Sequence, residues 1–202
     1  MAEETRIPHH RRSEVFDVYE AGPDAVEVVG HLIDERPWAT TERELPVVHD
    51  IELIVTVGLT DLTVRAVDVK FHIYPHAECT EIAEAYQQLV GLTIGRGWVN
   101  AMRERLGGPA GCTHLRELAR AMAPVLLQAA FSARMRVAAA SGIAAADRVP
   151  DPQAIAMLPL LTGTCHIWAE GGIAQQKLDL GWRPGTTAYP VPPLAELRDE
   201  LA

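Results

Sequence analysis

HDIELIVTV, residues 49–57, alternates side chains so that Ile51, Leu53, Val55 and Val57 share one face at a period of two. A run with that period is a strand with one buried face, and its neighbours repeat the pattern. Upstream, residues 14–36 (EVFDVYEAGPDAVEVVGHLIDER) hold two β-prone runs around AGPDA, the signature of a hairpin. Downstream, after the turn at GLTD, LTVRAVDVKFHIY alternates again, with Val67, Val69, Phe71 and Ile73 in phase. The phase slips near Ala66 and Val67, which predicts a bulge. Connections this short predict an antiparallel β-meander of about four strands.

From Cys79 the period changes to that of a helix. CTEIAEAYQQLVG puts Ile82, Tyr86, Leu89 and Val90 on one face, with Thr80 as cap and Gly91 as stop. GWVNAMRERLGG predicts a second helix ending at paired glycines. The run from Cys112 to Gly142 predicts a helix of about thirty residues carrying Leu115, Leu118, Met122, Val125, Leu126 and Ala129 on one side, kinked at Pro124. Its alanine-rich tail suits close packing, including against a second copy of the chain in a homo-oligomer. Beyond Pro150 and Pro152, a strand pair is expected around LTGTCHIWAEGGIAQQKLDL, then a proline-rich stretch and a short helix from Leu194. The fold class is therefore α+β, strands first and helices after. The chain reads as a single domain over residues 1–202, with an α+β core at about 14–142 and a C-terminal extension at 143–202.

Composition bounds the function. The chain has 202 residues, 48% of them hydrophobic, enough for one sizeable core. A net charge of -9 repels phosphate backbones and anionic lipid, so neither nucleic acid nor a membrane is the expected partner. His9-His10-Arg11-Arg12 is the local exception and reads as a solvated N-terminal arm. No apolar run approaches the ~20 residues of a membrane span, and the polar N-terminus does not read as a secretory signal. The expected location is the cytoplasm, where three widely spaced cysteines are thiols available for metal binding or catalysis rather than a disulfide framework.

Two thiols stand where chemistry is expected. Cys79 follows YPHAE and Cys112 follows the GGPAG loop, each at or near a predicted helix N-terminus, where the dipole and free amide groups stabilise an anionic ligand. His114 lies two residues past Cys112, and the glycines supply the bend that lets both approach one ion. A Zn or Fe site needs about four N, S or O donors, so His49 at the start of its strand joins the set, followed by Cys165 with His166. The candidate metal ligands are therefore His49, Cys79, Cys112, His114 and Cys165. Asp50 and Glu78 are the candidate proton carriers for a small organic substrate. A purely structural ion, or a Cys79–Cys112 redox pair, is the competing reading.

The combination of HHRR, HDIEL, a proline shortly before Cys79, LVGLTIGRGW, GGPAGCTHLREL and TCHIWAEGG resembles a bacterial family, the domain of unknown function numbered 2889, over about residues 9–175. GCTHL is its most specific piece. The order HDIELIVTV, FHIYPHAECTEIAEAYQQLVGLTI, GCTHLRELARA also resembles, more distantly, the U-type iron–sulfur cluster scaffold proteins. That resemblance implies a scaffold-like fold in which His49 stands at the first cysteine position, Asp50 at its neighbouring aspartate, Cys79 at or near the second cysteine and Cys112 at the third. Imidazole replaces the first thiol, the segment between the two cysteines is shorter, and an extension bearing Cys165 is added. A set mixing imidazole and thiolate suits one Zn or Fe ion better than a transferable cluster. Delivery of iron or sulfur to a partner is the alternative function the resemblance implies.

Overall fold

The computed structural model describes residues 6–140, 142, 152–184 and 190–201; the expectation at Pro150 lies outside them. The chain divides into two compact units, Met1–Ala129 and Ala130–Ala202.

The first unit is built on a four-stranded antiparallel sheet in the order β1(Arg11–Glu20), β2(Ala25–Glu35), β3(Val47–Gly58), β4(Val64–Ile73). The predicted hairpin and meander are both present, and the class is α+β. Alternation decides the faces: Val26, Val28 and Leu32 of β2 are opposite Val57, Val55 and Ile51 of β3, and all six are buried. The phase slip is a bulge at Arg65, since Thr56 pairs with Ala66 and Val57 with Val64. A second register shift, between Asp34 and Glu35, leaves Val48 as the extra residue next to His49.

Helices cover the inner face. α1(Trp98–Leu106) and α2(Thr113–Ala140) follow the predicted bounds closely, with Pro124 inside α2. Trp98 is buried and its indole N–H donates to the Ala119 carbonyl at 2.8 Å, tying α1 to α2. The segment expected as an α-helix from Cys79 is instead a 3-10 helix, Ala77–Leu89, with His76 rather than Thr80 at its cap position. Three residues per turn explain the difference in packing. Tyr86 and Leu89, three apart, are both fully buried, whereas Val90 rotates off that face and is exposed. Gly91 does end the segment, with φ +84, and its N–H bonds the Val64 carbonyl.

In the second unit the expected strand pair is absent among the described residues. α3(Pro152–Leu161) is followed by tight turns at Gly163 and Gly171, both in the left-handed region, and then by α4(Ile173–Asp179) and α5(Leu194–Leu201). Closed turns at both glycines leave Cys165–Ala169 no extended partner to pair with. Among the described residues of this unit, Ala130, Leu158, Leu161, Ala174, Trp182 and Leu197 are the buried hydrophobic ones. No described helix is long and apolar enough to cross a membrane.

Candidate metal centre

The inner face of the sheet changes character at its last regular rung. Positions 28, 30 and 32 of β2 carry apolar or small residues, and the next in phase is Asp34, which is 2% exposed. Register sets Arg12 of β1 and His49 of β3 directly across from it, so three polar side chains form one row over three strands. A fourth arrives from above. A Cβ at Gly107 would collide with the Arg103 carbonyl oxygen, and one at Gly111 with that of Leu106. Glycine is therefore what lets the chain fold back tightly on the end of α1 and begin α2 at Thr113, bringing His114 over the row.

The carboxylate of Asp34 is ringed by nitrogen. Arg12 Nε donates to Oδ1 and Nη2 to Oδ2, both at 2.7 Å, a bidentate pairing. His10 Nε2 donates to Oδ1 and His49 Nδ1 to Oδ2, both at 3.0 Å. His114 Nε2 stands 3.4 Å from Oδ2, and its ring centroid is 3.9 Å from that of His49. Burial pushes the Asp34 carboxyl up, but the hydrogen bonds and charge of Arg12, with His10 and His114, more than offset this and bring it down to about 2. His114 is shifted down, first by burial and then by the neighbouring His49 and Arg12, against the opposing pull of Asp34. At neutral pH the site thus holds an ionised carboxylate beside a neutral imidazole.

Cys112 sits at the edge of this group. Its Sγ is 3.7 Å from His114 Nδ1, on the side of the ring away from Asp34. Its backbone is gripped by the buried Tyr86, whose hydroxyl donates to the Cys112 carbonyl at 2.9 Å and accepts from the Cys112 N–H at 3.1 Å. Burial pushes the Tyr86 phenol well above its ordinary range, so it stays a neutral donor.

Of the residues singled out from sequence, the fold brings His49 and His114 together with Asp34, and Cys112 alongside. Among the described residues these three form the one group of three or more His, Cys, Asp or Glu side chains whose ligand atoms lie within 4.8 Å of one another. Cys79 is half-buried on the 3-10 helix, and Cys165 is exposed in the second unit. Asp50 faces the opposite side of the sheet, where it pairs with His31 at 2.7 Å, and Glu78 is exposed. The arm reading of His9–Arg12 is corrected. Trp38 Nε1 donates to the His9 carbonyl at 3.0 Å, and His10 and Arg12 are held on Asp34, because β1 begins at Arg11 and position 12 points inward. Asp34 itself was legible only as an acid in phase with the buried alternation of β2.

The donor set fits a borderline divalent ion. Donors placed tetrahedrally at ~2.0–2.1 Å from a zinc ion are about 3.3 Å apart, and Oδ2 stands 3.0 and 3.4 Å from the two imidazole nitrogens. Arg12 bonds both carboxylate oxygens, and the two histidines approach the same Oδ2.

A β-meander covered by helices, with a histidine–carboxylate cluster on its last rung, is the class of protein that fold and site define. Residues 10–128 match the family described as "Protein of unknown function (DUF2889)", and the chain belongs to that family. The matched span contains every residue of the cluster. No curated protein and no solved structure matches the chain.

Proposed function

We propose that the protein is a metal-dependent enzyme that holds one Zn or Fe ion through Asp34, His49 and His114 and acts on a small organic molecule. The observation that carries this reading is the convergence of two imidazole nitrogens on one oxygen of a buried, ionised carboxylate. One carboxylate and two histidines leave coordination positions open, as catalytic sites do and closed structural sites do not. The ion would supply Lewis-acid polarisation of a substrate oxygen. Arg12 keeps Asp34 ionised and oriented. Loading requires the hydrogen that His49 Nδ1 presents to Asp34 to leave that nitrogen, so that its lone pair can face the ion. His10, more exposed than the rest and 3.0 Å from Oδ1, is placed to pass protons between the site and solvent.

Metal analysis of freshly purified protein tests the reading. One equivalent of Zn or Fe is expected in wild type, and near zero in His49→Ala and His114→Ala. Unchanged stoichiometry in both variants would overturn the ligand set. Acid-labile sulfide in brown protein would instead favour the scaffold alternative, which rests on sequence resemblance and on Cys112 lying beside the cluster.

A further inference from the structure

Cys112 was expected among the ligands, yet its sulfur lies across the His114 ring from Asp34 and outside the convergent donor group. Lone-pair accounting gives it a different part. A carboxylate offers about four acceptor sites, and on Asp34 these are taken by Arg12 Nε, Arg12 Nη2, His10 Nε2 and His49 Nδ1. The fifth nitrogen, His114 Nε2, is 3.4 Å away, beyond the usual hydrogen-bond range. Its proton has no acceptor there. The other ring nitrogen does have one in the Cys112 sulfur, at a distance ordinary for a sulfur acceptor. With the ring hydrogen on Nδ1, that nitrogen is satisfied by the sulfur. Nε2 then presents a lone pair to Oδ2, an arrangement of two electron-rich atoms that a cation between them would relieve.

We infer that Cys112 is a positioning residue rather than a ligand: its sulfur accepts the Nδ1–H of His114 and so aims the Nε2 lone pair at the ion site. This rests on the metal reading above and assigns the cysteine a role in it. Metal-bound histidines commonly donate their second ring N–H to such an acceptor, and losing it weakens binding 10–100-fold. Tyr86 completes the chain of support, since its hydroxyl fixes both backbone polar groups of Cys112. The sulfur is thereby held beside Nδ1 by a residue that is itself fully buried.

Cobalt(II) is the probe, added to full-length metal-free protein, with affinity measured by competition against a chelator and the electronic spectrum recorded. Wild type should bind one equivalent without a sulfur-to-cobalt charge-transfer band. Cys112→Ala should bind 10–100-fold more weakly, and Cys112→Ser, which keeps an acceptor, within a few-fold of wild type. Imidazole 15N shifts of the metal-free protein should place the His114 hydrogen on Nδ1, a readout that packing alone would not move. A charge-transfer band that disappears in Cys112→Ser would make the cysteine a ligand and overturn this inference while leaving the metal reading intact. Equal affinity of Cys112→Ala and wild type would overturn it as well. Failure of wild type to bind cobalt would remove both.

Discussion

Asp34 and His49 are cross-strand partners, and their side chains meet with Oδ2 3.0 Å from Nδ1 on the buried face of the sheet. The pair anchors everything else in the cluster. Asp34→Ala would leave the Arg12 guanidinium facing the histidines with no anion between them. Removing one partner of a buried ion pair costs about 3–5 kcal/mol, and Arg12 is exposed enough to recover part of that in water, so a loss near about 3 kcal/mol is expected. Urea denaturation of the metal-free protein measures it. A change below about 0.5 kcal/mol would mean that Asp34 is not the hub.

Acid should reveal the same residue. The folded carboxyl lies at about 2 against an ordinary 3.8, so folding is favoured by its ionisation. That contribution is fully present above about pH 4 and is lost as pH falls from about 4 toward about 2, to a total of about 2 kcal/mol at 1.36 kcal/mol per pKa unit. Stability of metal-free wild type compared with Asp34→Asn across that window isolates the effect. Parallel curves for the two proteins would contradict it.

Tyr86→Phe tests the grip on Cys112. The phenol is fully buried and serves as both donor and acceptor for one residue's backbone, and the variant leaves the Cys112 N–H without that partner while the carbonyl keeps the Arg116 N–H at 3.0 Å. A loss of about 1–3 kcal/mol is expected, read as a lower thermal midpoint. An unchanged midpoint would show that water replaces the hydroxyl without cost.

The strands and α2 were legible because their periods are long and regular: Ile51 to Val57 and Leu115 to Leu126 declare buried faces without any knowledge of what covers them. His49 and His114 were legible as donors near element ends. Asp34 and Arg12 were not, since HLIDER and HHRR read as polar ends until register puts position 12 opposite 34 and 34 opposite 49. Cross-strand register depends on turn geometry and bulges, and local side-chain pattern does not encode it uniquely. The 3-10 geometry of Ala77–Leu89 escaped for another reason: 3-10 runs are ordinarily only about three or four residues long, so a 13-residue segment with spaced apolar positions reads as an α-helix.

Gly30 carries a further prediction. It lies under the Phe16 ring of the neighbouring strand, and an added Cβ would fall 2.8 Å from Phe16 Cε1 and 3.2 Å from Met122 Cε. Gly30→Ala therefore forces the ring or α2 outward, a change that overpacked cores resist by about 1–3 kcal/mol. Chemical denaturation checks the loss, and Gly30→Ala combined with Phe16→Leu should recover part of it.

The row across the sheet joins chain positions 12, 34, 49 and 114. No hairpin contains them all, and no fragment shorter than about half the molecule can bring them together. Assembly of the cluster therefore requires long-range contacts, and chains rich in non-local pairing fold slowly. On the proposed metal reading, ion uptake would be a sensor of finished folding: a partly unfolded chain offers scattered donors, and the native state brings Asp34, His49 and His114 together.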